Sequence, residues 1–173
     1  MTPQRRYQSY WQHMICGPGP GGAEGQRLRL ERADLTGCDS FAGTNLSGIV
    51  LQGCLLRDAG IADARLLMPE ILACDLRGVN LAFSDLSCSL MSSNLEGAII
   101  SDAKTTPFDL TGDSSKPWPT NMEGCRLRQA DLRNTSLKHV RVKHAHLKGA
   151  RFSAASTAGM TKDQIDRLRS TSQ

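Results

Sequence analysis

Aromatic residues are scarce in this chain. Two Trp, two Tyr and four Phe among 173 residues leave few large rings, so the interior is expected to be built from narrow leucine-sized and alanine-sized layers. No apolar run reaches the roughly 18 residues of a membrane span, and nothing at the amino terminus resembles a signal peptide, so the expected compartment is the cytoplasm. The six cysteines form no CxxC and no Cys/His metal spacing, and no zinc is expected. His13, His139, His144 and His146 have no carboxylate or nucleophile set beside them by spacing. A catalytic group needs a cleft that perturbs it, and nothing here supplies one. The expectation is a protein that is not an enzyme, with no catalytic, cofactor or metal residues.

What the chain has in abundance is a five-residue period. Leucine or a close substitute recurs at that step, with a small residue two positions before it: Ile49-x-Leu51, Cys54-x-Leu56, Ala59-x-Ile61, Ala64-x-Leu66, Cys74-x-Leu76, Val79-x-Leu81 and Ser84-x-Leu86. On an α-helix a step of five rotates by about 140° and scatters the leucines round the axis. On a long strand an odd step alternates them between faces. A turn inside every repeat resolves both problems. The small residue and the leucine, two apart on a very short strand, point inward together, and the next residues turn the corner. Four sides return the chain above its start, giving a square coil of about twenty residues stacked at roughly 4.8 Å. Gly37, Gly43, Gly48, Gly53, Gly78, Gly97, Gly112, Gly124 and Gly149 each fall two residues after an inward position, where a tight corner needs positive φ.

The segments Ala33-Asp34-Leu35-Thr36-Gly37, Thr44-Asn45-Leu46-Ser47-Gly48, Ser93-Asn94-Leu95-Glu96-Gly97 and Ala130-Asp131-Leu132-Arg133-Asn134 resemble the A(D/N)LxG motif of pentapeptide-repeat proteins. The likeness runs over about residues 28 to 154. It implies an all-β fold, a right-handed quadrilateral β-helix, with a handedness that spacing alone does not give.

The register runs through Leu30, Leu35, a slip at Ser40/Phe41, then Leu46, Leu51, Leu56, Ile61, Leu66, Ile71, Leu76, Leu81 and Leu86. After the loss of one residue it continues through Leu90, Leu95, Ile100, Thr105 and Leu110, and it resumes at Met122, Leu127, Leu132, Leu137, Val142, Leu147 and Phe152. These centres make about six coils, a tower on the order of 30 Å tall. Residues 111–121, with two prolines and Trp118, carry no repeat and read as a projecting loop. Cys38, Cys54, Cys74, Cys88 and Cys125 take the small inward position and read as buried hydrophobes. Cys54 and Cys74 should stack in adjacent coils, within conceivable reach of a disulfide, and are expected as free thiols in a reducing compartment.

The ends differ from the tower. Residues 1–16 place Tyr7, Tyr10, Trp11, Met14 and Ile15 on one side of a short amphipathic helix, followed by a Gly/Pro-rich linker over 17–27. That helix reads either as a cap on the first coil or as a targeting or partner-binding tail. Over 155–173, Thr161-Lys162-Asp163-Gln164 looks like a capping box, and Met160, Ile165 and Leu168 give an apolar side. This segment reads as a cap; the family resemblance also allows a contact that joins two copies into a homodimer.

Charge is divided along the chain. Residues 30–110 hold five basic and eleven acidic residues, whereas residues 122–152 hold eight basic and two acidic ones, so an acidic body should carry a basic end. Three partner classes follow. A rigid scaffold would present a protein partner with hot spots such as Trp118. By family resemblance, a DNA mimic would use Asp75, Asp85 and Asp109 to occupy DNA gyrase or topoisomerase IV and protect it from quinolones or toxins. Direct nucleic-acid binding would draw on Arg128, Lys143 and Lys148, with no aromatic interleaved for base stacking.

Overall fold

Five residues are enough for one short side and one corner, and the chain repeats this unit until each side lies over its equivalent in the coil before. The computed structural model describes residues 28–105, 107 and 119–170. The readings for residues 1–16, the 17–27 linker, Gly112, Asp109, Leu110 and Trp118 concern residues outside that set.

Parallel pairing defines the tower. Along the first side, β1 (Arg29–Glu31), β2 (Val50–Gln52) and β3 (Glu70–Leu72) form a parallel sheet in the order β1-β2-β3. The column continues as single bridges through Ser89, Asn121 and Arg141. The second side stacks Asp34, Leu55, Asp75, Asn94, Arg126 and His146. The third stacks Gly60, Asn80, Ile99, Asp131 and Arg151, and the fourth Asn45, Arg65, Asp85 and Lys104. The second column counts six coils of a right-handed quadrilateral β-helix. Every side is too short to satisfy its own backbone groups, so the bonds run between coils: the Leu55 amide donates to Ala33 O at 2.9 Å and the Leu56 amide to Asp75 O at 2.7 Å.

The corners are tight turns closed by bonds such as Cys38 N–H to Leu35 O at 3.1 Å and Ala59 N–H to Leu56 O at 3.2 Å. Positive φ falls on the third residue of most of these turns, the type II signature. Gly37 and Gly78 fill it at φ 63° and 66°. Eleven non-glycine residues also adopt positive φ, among them Asp58, Asp63, Asp102 and Asn134, and one large aromatic, Phe83, at 61°.

The interior is a single stack. Leu46, Leu51, Leu56, Ile61, Leu66, Leu76, Leu81, Leu86, Leu95, Leu127, Leu132, Leu137 and Leu147 are buried, with Cys54 and Cys74 beside them; Phe152, in the last coil, is partly buried. Where serine or threonine replaces the small inward residue, its hydroxyl bridges coils. Ser84 Oγ donates to Ile61 O at 2.8 Å and accepts from the Ala64 amide at 3.2 Å. Ser93 does the same between Ile71 O and the Cys74 amide. Both hydroxyls are therefore satisfied.

The stacking interval records the insertion. Ile99 pairs with Asn80, 19 residues back, but with Asp131, 32 residues on. The fifth coil begins earlier than the sequence spacing suggested. Thr120 is fully buried, its hydroxyl donates to Leu86 O, and Asn121 bridges Ser89 and Arg141. Thr120 and Asn121 thus belong to the tower, because threonine serves as the small inward residue two before Met122.

The carboxy-terminal end is closed by α1 (Ala154–Thr157) and α2 (Lys162–Ser170). The Leu137 amide donates to Ser156 O at 2.9 Å, which fastens α1 onto the fifth coil. At the start of α2 the Thr161 amide donates to Gln164 Oε1 at 2.8 Å and the Gln164 amide to Thr161 Oγ1 at 3.3 Å, a reciprocal capping box. Leu168 is buried in the core cluster, so α2 covers the open end of the stack.

Candidate interaction surface

The acidic and amide residues that precede each central leucine are bound up in local architecture. Asp34 Oδ1 accepts from the Thr36 amide, Asn45 from Ser47, Asn80 from Ala82, Asn94 from Glu96, Asn121 from Glu123 and Asp131 from Arg133, at 3.0–3.2 Å. These are Asx turns, which explain why a short side-chain oxygen is wanted at that place in each repeat. The hydrogen bonds from Thr36 hold the Asp34 carboxyl below its usual range.

Asp75 is more deeply engaged. Arg77 Nη2 lies 2.7 Å and Arg57 Nε 3.2 Å from its Oδ2, and the Arg77 hydrogen bond holds the carboxyl below the usual carboxylate range. Arg133 does the same for Asp131 at 2.6 Å. Asp85 lies on the fourth side, bridged to Arg65 below and Lys104 above. Asp75 and Asp85 are therefore on different sides, each bordered by cations.

The cationic candidates do come together. Arg126 and Arg128 project from the second side of the fifth coil, and His146 and Lys148 from the second side of the sixth; Arg126 bridges His146, and the Gln129 amide donates to Lys148 O at 3.0 Å. Round the corner on the first side of the sixth coil stand Arg141 and Lys143. All are exposed.

The third side carries exposed apolar residues that the five-residue period does not single out. Ile99 is 42% exposed there, and Phe83, at the corner that ends this side, is 61% exposed. Ala62, Ala82 and Ser101 follow the bridging residues of three successive coils, so the side is low and smooth between them. Asp63 and Asp102 occupy the corner above and below Phe83: the Asp63 amide donates to Ala82 O, the Phe83 amide to Ser101 O, and Asn134 Nδ2 to Asp102 Oδ1 at 3.0 Å. The five-residue spacing already puts position 83 at a corner, so its outward direction was readable; its isolation among Asp and Asn corners was not.

A narrow apolar gap lies inside the tower beside Phe41, Leu46, Ile49 and Leu51, and a groove at the carboxy-terminal end runs between Phe152, Thr157, Ile165 and Leu168. The five described cysteines are free. Burial pushes the Cys88 thiol up and the Cys125 thiol up to about 12; the hydrogen bond with Cys54 and burial raise Cys74. Among the described residues, no group of three or more His, Cys, Asp or Glu could hold a metal ion, and no helix is long and apolar enough to cross a membrane.

The family profile described as pentapeptide repeats matches residues 120–155 with eight copies. No curated protein matches the chain. Among solved structures, a trypsin-treated form of QnrB1, a plasmid-mediated fluoroquinolone resistance protein, is 18% identical over 84% of this chain and 68% of its own, with a TM-score of 0.43. HetL, a pentapeptide repeat protein involved in heterocyst differentiation regulation from the cyanobacterium Nostoc sp. strain PCC 7120, is 24% identical over 71% of this chain and 63% of its own, with a TM-score of 0.26. A pentapeptide repeat protein of the Arabidopsis thaliana thylakoid lumen is 22% identical over 90% and 84%, with a TM-score of 0.29. The profile marks pentapeptide repeats over residues 120–155, and the same five-residue geometry runs back through the coils to Leu28.

Proposed function

We propose that this protein is a rigid, non-enzymatic scaffold that receives a protein partner on its third side, with Phe83 and Ile99 as the apolar centre of the contact. The observation that carries this reading is Phe83. A bulky residue in the left-handed region costs on the order of 1–3 kcal/mol, and a ring left 61% exposed forgoes most of its burial energy. Asp63, Asp102 and Asn134 fill the same corner in other coils at φ 57°, 59° and 59°, residue types that tolerate this conformation. The fold gains nothing from an aromatic there, whereas an interface hot spot gains much from one. The matching partner surface carries an apolar pocket with basic groups at its rim, opposite Asp63 and Asp102.

The scaffold reading is tested by placing a photo-crosslinking phenylalanine analogue at position 83, with a second probe at Thr36 on the second side as control. A discrete adduct formed in the native host from position 83 and not from position 36 is the expected result. Equal labelling from both, or none from 83, would move the contact elsewhere.

The alternative partner, a type II topoisomerase engaged by DNA mimicry, calls for a continuous anionic side. Asp75 is neutralised by Arg57 and Arg77, and Asp85 stands between Arg65 and Lys104 on another side, so the charge layout favours the scaffold. A supercoiling assay with DNA gyrase separates the two: no inhibition and no protection from a quinolone is expected. End-to-end pairing of two copies through α2 is a separate proposal, read out by sedimentation of the whole chain.

A further inference from the structure

We propose that the corner between the first and second sides of the fifth and sixth coils binds the phosphate backbone of single-stranded nucleic acid, without reading its sequence. The sixth coil presents Arg141 and Lys143 on one side and His146 and Lys148 on the next, with Arg126 and Arg128 one coil below. Alternate outward residues on a short side are about 6.6 Å apart, and coils are about 4.8 Å apart. The result is a two-row cationic band that turns through the corner.

Three observations point to a ligand. First, the band stacks like charges: Arg128 is adjacent to Lys148 in the coil above. Like charges directly opposed on neighbouring strands are destabilising, so the arrangement has no structural return of its own. Second, the cations are unneutralised. Among the described residues, Arg29, Arg57, Arg77 and Arg133 have carboxylate partners, while Arg126, Arg128, Arg141, Lys143 and Lys148 make no ion pair. Glu123, on the first side next to Lys143, and Glu96, one coil below Arg128, are the acids that border the band. Third, the band is convex and faces two directions. A planar anionic surface meets one side at a time, whereas a flexible polyanion follows both. No aromatic lies in the band, so bases have nothing to stack on and the binding is electrostatic.

The test is fluorescence anisotropy with a labelled oligothymidylate and the full chain, titrated with salt. With four or five phosphates neutralised, log Kobs should fall against log[salt] with a slope of about −3, since each single-strand contact contributes roughly −0.7. Arg128→Glu with Lys148→Glu should weaken binding by about tenfold or more at low salt and flatten the slope, and Arg128→Gln with Lys148→Gln should do so to a smaller degree. Lys104→Glu, an exposed cation on the fourth side, should change neither. Thermal denaturation of the Arg128→Gln, Lys148→Gln variant should show no loss of stability, since there a like-charge pair is removed. No binding at low salt, equal loss in the Lys104 variant, or binding only to anionic phospholipid vesicles would each overturn the proposal. The Phe83 variants leave this band intact, so failure here and failure of the scaffold reading are distinguishable.

Discussion

Asp58 and Gly78 occupy the same corner in adjacent coils, and a Cβ on Gly78 would lie 2.2 Å from Asp58 Oδ1. Gly78 also holds φ at 66°, so alanine there meets both a strained backbone and a carboxylate in the way. Gly78→Ala should destabilise the tower by about 1–3 kcal/mol, lowering Tm by roughly 2–4 °C per kcal/mol. Adding Asp58→Gly removes the obstructing group and should recover part of the loss. Equal stability of the single variant and the parent would show that the corner is not held as described.

The Asx turns predict a chemical preference. Asn80 accepts from the Ala82 amide at 3.1 Å. Asn80→Ala should cost about 0.5–1.5 kcal/mol, while Asn80→Asp, which keeps the acceptor, should be near neutral. Urea denaturation of the two variants measures the difference.

Stability should depend on acid in a defined sense. The Asp75 and Asp131 carboxyls are held low in the folded chain, chiefly by hydrogen bonds from Arg77 and Arg133. A depressed folded-state value means that the unfolded chain binds protons first. The contribution of these groups is therefore fully present above the ordinary aspartate range near about 4 and is lost as pH falls through the lower folded-state values. Asp131→Asn should lower stability in the neutral region and flatten the acid limb of a stability-against-pH curve, so that variant and parent converge at low pH.

Thiol reactivity should follow burial. Cys54, Cys74, Cys88 and Cys125 are buried, and Cys88 and Cys125 are pushed up by burial. Alkylation at pH 8 followed by peptide mapping should leave these four unmodified in the native protein and label all of them in denaturant. Rapid native labelling of Cys88 would mean that the middle coils open readily.

Much of the tower could be read from spacing because a solenoid makes every repeat solve the same local problem. Leu56, Leu76 and Leu95 are buried at the places the five-residue step gives them, and the corner glycines among the described residues take positive φ. What escaped the sequence depended on neighbours a coil away. Asp75 looks like a free surface acid until Arg57, from the coil below, is laid beside it. Thr120 looks like loop until its hydroxyl meets Leu86 O. Phe83 counts as one more outward residue until the corner column shows only small or polar residues around it.

The most direct measurement takes Phe83→Asn through two assays at once. Asparagine is at ease at positive φ and removes an exposed ring, so Tm should rise by roughly 2–4 °C for about 1 kcal/mol gained, while capture of the partner crosslinked from position 83 should fall by tenfold or more, as loss of a hot-spot residue requires. A variant that is less stable than the parent, or that captures the partner undiminished, would contradict the assignment of the third side as the binding surface.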